Sequence, residues 1–596
     1  MNSKLKFYEE KILKIKEEKD IIKNITNKIS IIRLIIFTLT IMLAYYFYKL
    51  NNAVLMFTSI VIGTLIFVFF AYQHNIKINR KKELEIYLNI NQKGINRIKG
   101  QFKEEIDDGK EYLNEKHPFV NDLDVFGRSS LFQMINSTKT KFGREKLVKI
   151  LSLKKLPSKE EVIKRQEAIR ELGDKIDFRQ KLEVKSTIKK SGLKDTKDLI
   201  EWMSGKSTFN KSLNFIPYIF IAITAISFVL VFIGYLPITY IILVFMINYI
   251  VVKLSTKKLK DVIGLFEIHK NDIEAYYNLI EIIDNEEFKS ELLSEIKTNL
   301  NKESKSVVSE MKALKNLSDW IGDSSSNAYY LLLNITILSD IFILKNLYDW
   351  KEKNGTKFDL WLKTMGDIEA LCSIANLAFD FEDWTYPLIS DLDEIKAVEL
   401  AHPMLYSKAI SNSFSLNSKS KIALITGSNM SGKSTFLRTI GINLVLSYIG
   451  APVCSKSFEA GIFNIYTCMR TKDNLEESIS SFYAEILRIK ILIEASKKGE
   501  KVFFLLDEIF KGTNSKDRHD GATVLIKQLV KNNAMGLVST HDLELCDLEN
   551  EYNWIKNYNF QEYYKDNNIK FDYKLRDGRS KTQNAIHLMK LAGIEF

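Results

Sequence analysis

Proline and cysteine are scarce in this 596-residue chain, and three stretches contain no charged residue at all. Seven prolines leave little to interrupt helices, so a largely helical protein is expected. The four cysteines, Cys372, Cys454, Cys468 and Cys546, lie far apart with no Cys-x-x-Cys pair. That excludes a disulfide framework and a thiolate zinc site, and it fits a reducing compartment. Internal repeats and low-complexity tracts are also missing. What the chain has in excess is positive charge, +11 formally, a balance that suits polyanions such as nucleic acid or anionic lipid headgroups. The length allows about three to five domains.

The uncharged runs are Leu34–Tyr48, Leu50–Gln73 and the 41 residues from Ser212 to Val252, the last broken near Gly234-Tyr235-Leu236-Pro237. A membrane-spanning helix needs about 20 mainly apolar residues. The second run makes one span and the third makes two. The first is short but is extended by Ile31, Ile32 and a snorkelling Arg33. Four spans in two hairpins are therefore expected. Residues 1–30 are too long and too charged for a secretory signal. Basic residues flank both hairpins: Lys23, Lys28 and Arg33 before the first and Lys77, Arg80, Lys81 and Lys82 after it. Lys206 and Lys211 precede the second, which Lys253, Lys257, Lys258 and Lys260 follow. That pattern predicts a multi-pass cell-membrane protein with cytoplasmic soluble parts.

Away from the membrane, Lys421–Thr435 reads KIALITGSNMSGKST. A buried strand, Ile422–Thr426, stops at Gly427, and an eight-residue phosphate-cradling loop follows. Gly427 and Gly432 let backbone N–H groups of Ser428, Asn429, Met430 and Ser431 turn inward. Lys433 meets the β- and γ-phosphates, and the Ser434 hydroxyl can ligate Mg²⁺. The helix that begins at Thr435 adds its positive end beneath the anion. Later, Val502–Leu506 is an apolar strand ending in Asp507-Glu508, 74 residues after Lys433. Asp507 is expected to hold magnesium through water, and Glu508 to act as the base toward the attacking water. A third strand, Gly536–Ser539, ends in Thr540-His541. His541 there serves either a structural role or a contact with the γ-phosphate or the water.

Between the motifs, 118–205 reads as a soluble helical region and 254–316 as a charged amphipathic stretch suited to an extended arm. Tyr329–Leu344 is apolar but carries Asp340, and it reads as a core helix rather than a fifth span. Residues 355–395 read as further helices with a break at Trp384–Pro387.

In order, these motifs resemble the MutS family of ABC-class ATPases. The loop TGSNMSGKST matches closely, including the pair Asn429-Met430. Asp507–Asn514 (DEIFKGTN) resembles the family's D-E-I-x-x-G-T motif, and Ser539–Leu545 (STHDLEL) its T-H-x-x-E-L switch. Glu477–Glu485 (ESISSFYAE) resembles the signature loop. His402-Pro403 and Asn412 match the segment leading into the domain, and Tyr573–Gly593 the closing segment. More weakly, 118–175 resembles the family's helical core, through Ser137–Gly143 (STKTKFG) and Arg165-Gln166. The resemblance implies ATP and Mg²⁺ as cofactors and a homodimer with composite sites, Ser480 or Ser481 of one subunit reaching nucleotide held by the other. Asn412, Thr435 and Tyr573 join the nucleotide-binding set; a second base-stacking position falls at Ala409, which has lost its aromatic ring. No segment resembles the family's mismatch-reading module, so an atypical, membrane-anchored member is expected.

The expected architecture is an α/β ABC-type P-loop ATPase domain at the C-terminus (401–596), preceded by an all-α core and lever region and two transmembrane helical hairpins. The expected order is an N-terminal helix (1–33), hairpin one (34–73), a helical linker (74–117), a core-like helical domain (118–211), hairpin two (212–252) and a lever region (253–400). The expected function is ATP-driven clamping on DNA in repair of mismatched, damaged or branched DNA. The alternative is a membrane remodelling or sensing machine that acts on a protein or lipid.

Overall fold

Two antiparallel helices, α1 (Ser3–Lys49) and α2 (Ala53–Ile98), open the chain. The computed structural model describes residues 3–187, 195–206, 215–257, 260–302, 306–324, 328–470, 481–565 and 568–580. At 1.5 Å per residue each of the first two helices is about 70 Å long. They turn at Asn51, which takes a left-handed φ of 54°, and at Asn52, whose side chain caps α2 by accepting from the Leu55 N–H at 3.1 Å. The apolar halves next to the turn are exposed: none of either helix's most apolar 18-residue window is buried.

The opposite, charged end of the pair is docked. Tyr8 is buried on Gly94 of α2, where an added Cβ would lie 2.4 Å from the ring. The segment divided above at residue 33 is one continuous helix. Beyond Ile98 the chain runs as loop with two short 3₁₀ turns, Phe102–Glu104 and Lys110–Tyr112.

A helical body follows: α3 (Leu131–Ile135), α4 (Lys141–Leu151), α5 (Lys159–Asp174), α6 (Ile176–Thr187) and α7 (Lys197–Ser204). Then come α8 (Ile216–Phe232) and α9 (Thr239–Thr256), which make the second apolar hairpin, with Pro217 in the first turn of α8. By length and composition α1, α2 and α9 suffice to cross a membrane, and α8, at 17 residues, sits at the lower limit. Next are α10 (Lys260–Asp284), α11 (Glu291–Asn301), α12 (Val307–Ser324), α13 (Ala328–Ile337) and α14 (Ser339–Asp380).

The 42-residue α14 is the spine against which α4, α5, α7, α11 and α12 pack. The Ser137–Gly143 segment docks on it. Thr140 caps α4, and its hydroxyl and the Lys139 N–H donate to the buried Glu369 carboxylate. Two expectations are corrected here. Residues 254–316 do not extend as an arm: α10 buries Phe266, Ile273, Leu279 and Ile280, folds back onto α6 and α12, and so satisfies its apolar face within the body. Tyr329–Leu344 is not one core helix: α13 leaves Tyr329, Leu331 and Leu332 exposed and breaks from α14 at Leu338, whereas Leu338, Ile341 and Leu344 are buried as expected.

After Asp380 the chain becomes α/β, so 355–395 is not helical throughout. Strands β1 (Leu388–Ile389), β2 (Ile395–Leu400), β3 (Asn412–Leu416) and β5 (Ser457–Ala460) form one small sheet. The larger sheet has the order β10-β9-β4-β8-β7-β6: β4 (Ile422–Thr426), β6 (Asn464–Cys468), β7 (Val502–Asp507), β8 (Met535–Ser539), β9 (Ile555–Lys565) and β10 (Asn568–Asp577). All of its neighbours pair in parallel except β10, which runs antiparallel to β9 at the edge. The central strands read as unbroken apolar runs because helices cover both faces, α15 (Lys433–Tyr448) on one and α16 (Ser481–Lys497) and α17 (Ser515–Lys531) on the other. A short α18 (Leu548–Glu551) precedes β9.

The body and the α/β domain are joined by ion pairs and backbone contacts. Asp122 accepts from the Thr467 hydroxyl, the Met469 N–H and Arg488. Arg165 donates to the Tyr448 carbonyl at 3.1 Å, at the end of α15, and Gln166 to the Pro387 carbonyl at 2.9 Å.

Candidate nucleotide-binding site

Strand register sets the site. Ser539 pairs with both Ile425 and Asp507, so β4, β8 and β7 end level with one another. The loops leaving them carry Gly427–Gly432, Asp507-Glu508 and Thr540-His541. In an open parallel sheet this carboxyl edge is where ligands bind.

The first loop is held in a conformation that few residues adopt. Gly427 has φ 147° and Gly432 φ 108°, and Met430, 86 % exposed, also takes a left-handed φ of 67°. A Cβ on Gly427 would lie 2.7 Å from the Phe560 carbonyl, and one on Gly432 would lie 3.1 Å from the Tyr573 ring. Helix α15 starts at Lys433, so the N–H groups of its first turn, including those of Ser434 and Thr435, face the cavity without intrahelical partners. Ser428 donates to Glu562 at 2.9 Å, which ties the loop to β9. Ser431 is buried with its hydroxyl oxygen unpartnered among the described residues.

Lys433 reaches along the loop and donates to the carbonyls of Gly427 and Ser428 at 2.9 and 3.1 Å. Burial favours its neutral form and pulls its pKa down, while Glu508 and Asp507 act the other way. Glu508 Oε1 lies 3.6 Å from Lys433 Nζ and 2.8 Å from His541 Nε2, and Glu508 Oε2 lies 2.8 Å from Lys511 Nζ. Burial alone would raise the Glu508 pKa; the hydrogen bonds from His541 and Lys511 and the nearby charges outweigh it and hold the carboxyl at about 2. His541 Nε2 also lies 2.8 Å from Asn429 Oδ1 and 3.3 Å from Lys433 Nζ. The phosphate-type loop, the β7 acid and the β8 histidine thus form one connected cluster. Asp507 accepts from the Ser539 hydroxyl and sits level with it at the strand end. Glu508 itself is in the left-handed region, φ 51°, a strained geometry that recurs at functional sites.

The cavity beside this cluster has a volume of about 500 Å³, within the range of small-molecule sites. Asn429 to Thr435, Glu508, Asn412, Ala409 and Tyr573 all line it. Asn412 acts on Tyr573 through the backbone: its amide donates to the Tyr573 carbonyl at 3.0 Å and accepts from the Leu575 N–H at 2.8 Å. That clamp stabilises a bulge in β10 where Tyr573 takes φ 54° and leans on Gly432. Leu405, Lys408 and Ile410 complete the wall and were not singled out from the sequence. They belong to or follow the 3₁₀ segment Pro403–Lys408, for which the pair His402-Pro403 was the available signal.

Ser480 and the rest of the segment 471–480 lie outside the described residues, as do 581–596; Ser481 begins α16. Further along α16, Glu485 accepts from the Phe510 N–H, and Phe482 fills the space over Gly512. The signature-like helix is therefore fastened to the loop that carries Glu508.

A family model described as MutS domain V matches residues 423–595. The DNA mismatch repair protein MutS of Persephonella marina is 32 % identical over 236 residues, 39 % of this chain and 27 % of that protein. That of Acetivibrio thermocellus is 32 % identical over 241 residues, again 39 % and 27 %, and that of Aquifex pyrophilus 31 % over 236 residues. The C-terminal segment 423–595 thus matches MutS domain V, and over about 40 % of its length the chain is similar to these MutS proteins. Its match to these MutS proteins spans about a quarter of their length and rests on the C-terminal α/β domain. The MutS resemblance read from the loop, the Asp-Glu strand end and the Thr-His turn thus falls within the segment that the comparisons match.

Proposed function

We propose that the protein is a membrane-anchored MutS-like ATPase that binds and hydrolyses ATP with Mg²⁺ at the composite sites of a homodimer and uses the cycle to clamp DNA. The observation that carries this reading is the cluster of Lys433, Glu508, His541 and Asn429 beside a cavity walled by Tyr573. The residues fit the nucleotide. Left-handed Gly427 and Gly432 allow the curl of a phosphate-type loop, and Ser431 has a spare buried hydroxyl. Lys433, Ser434 and the first turn of α15 would hold the phosphates, with Tyr573 beside the base.

Ser434 and Asp507 would hold Mg²⁺, which when bound neutralises developing charge on the phosphates. Glu508 is ionised throughout the physiological range and can take the proton of the attacking water. His541, whose Nε2 faces both Asn429 Oδ1 and Glu508 Oε1, orients that carboxylate and reports on the loop. The hydrogen bond to Glu485 and the packing of Phe482 over Gly512 give the signature helix, which would serve the partner's site through Ser480 or Ser481, a direct connection to the loop of its own subunit's base.

The membrane part rests on the exposed apolar halves of α1, α2, α8 and α9, and DNA as the load rests on what the relatives are named for. The full chain in phospholipid nanodiscs, titrated with duplex and branched DNA, tests the load. Six to ten phosphate contacts would weaken binding by about 10³–10⁵ between 50 and 200 mM salt. Absent or salt-independent binding contradicts DNA as the load and leaves a second reading, an ATP-driven machine acting on the membrane or a protein in it. That reading is favoured by one contact: the foot of the first hairpin is bonded to the end of α14 at Asp380, so motion of the spine moves the hairpin.

A further inference from the structure

We propose that α13 is a lipid-embedded helix lying in the cytoplasmic leaflet of the bilayer, which moors the first turn of the α14 spine to the second hairpin. The inference rests on the membrane reading above and adds a fifth membrane element to it. The ten residues of α13, AYYLLLNITI, carry no charge, yet Tyr329, Leu331, Leu332 and Ile337 are between 42 and 61 % exposed. A helix this short is about 15 Å long, half the hydrocarbon thickness, so it cannot span.

Its position says what covers the exposed face. The inner side of α13 is fastened to both helices of the second hairpin. Asn248 of α9, fully buried, donates to the Ile335 carbonyl at 2.7 Å and to the Thr224 hydroxyl of α8 at 2.9 Å. Leu338 and Ile341 pack on Val252, next to the basic flank that begins at Lys253, with Ile216 and Phe220 beside them. The exposed apolar face of α13 is therefore continuous with the exposed apolar surface of α8 and α9.

The break into α14 carries its own side-chain cap. Leu338 takes a left-handed φ of 52°, and α14 departs at 85° to α13. Asn334 then turns its side-chain oxygen onto the Asp340 N–H and the Ser339 hydroxyl, both at 2.9 Å, and so satisfies donors that the break would leave bare. The consequence is mechanical: α14 reaches from this mooring to Asp380 at the threshold of the α/β domain, so displacement of the spine pulls on α8 and α9.

The test uses the full chain in phosphatidylcholine–phosphatidylglycerol vesicles, with an environment-sensitive fluorophore on L332C or L331C. The four native cysteines are all buried and compete little for the label. F57C in the first hairpin is the membrane reference, and V524C on α17 the aqueous one. Brominated acyl chains should quench L332C and L331C as they quench F57C and leave V524C bright. Bright α13 labels beside a quenched F57C overturn the inference while sparing the membrane reading; a blue-shifted but unquenched α13 label overturns it in favour of a second copy or another protein covering that face. A bright F57C overturns the membrane reading and this inference together.

Discussion

Removing the guanidinium of Arg97 should release the first hairpin from the body without touching the nucleotide site. Asp380, at the end of α14, is fully buried. It accepts the Tyr8 hydroxyl at 2.7 Å and is paired with Arg97, which is 8 % exposed and also donates to the Met134 carbonyl at 3.3 Å. Taking away one partner of a buried pair costs roughly 3–5 kcal/mol, because the other charge stays buried and uncompensated. Since 1.4 kcal/mol is about one decade in an equilibrium constant, Arg97→Ala should raise amide exchange across the feet of α1 and α2 by about two to three decades. Exchange in the α/β domain should not change. Tyr8→Phe removes one hydrogen bond to a charged group, worth about 1.5–3 kcal/mol, and should give a smaller rise in the same segments. The pair of changes Arg97→Met with Asp380→Leu removes both charges together and should restore protection. Unchanged exchange at the foot in Arg97→Ala, or a rise spread evenly over the chain, would refute the claim that this pair docks the hairpin.

Three further outcomes follow from the site. Gly432→Ala, forced to φ 108° against the Tyr573 ring, should weaken ATP binding about tenfold by isothermal titration, since such strain costs roughly 1–3 kcal/mol; equal affinity would mean the loop relaxes. Asn429→Ala frees His541 on one side and should lower kcat by up to about a hundredfold with little change in KM, and an effect on KM alone would assign Asn429 to binding. His402 is buried and its pKa is pushed down to about 4 by loss of hydration. Between about pH 6.5 and 4 the unfolded chain therefore binds a proton that the fold does not, so stability falls as pH drops through that window. His402→Gln should flatten that part of the pH–Tm curve, and an unaltered slope would assign it to other groups.

The parts legible in the sequence were those written in consecutive residues. An unbroken apolar run bounded by glycine places β4, and the acids at the end of VFFLL place β7, because buried parallel strands need apolar side chains on both faces. The charge-free runs likewise mark the two hairpins, although not that α1 continues without a break from a charged foot to an apolar tip. Features that depend on partners distant in sequence were not legible. Asn412 lines the cavity as expected, but its bonds to the backbone around Tyr573, 161 residues away, were not legible. The link between Asn429 and His541 needs β8 to insert between β4 and β7, an order that no spacing reveals. The exposure of α13 was missed because apolar composition alone cannot tell a core helix from one with an uncovered apolar face.

The most direct test of the central claim is hydrolysis and binding of ATP by the wild-type full chain and by Glu508→Gln, with Mg²⁺ present. The account predicts steady turnover by the wild type, and in the variant a loss of turnover by about 10²–10⁴ with ATP affinity retained. Turnover that survives the substitution, or a wild type that binds ATP and never hydrolyses it, would contradict the assignment of Glu508 and the ATPase reading built on it.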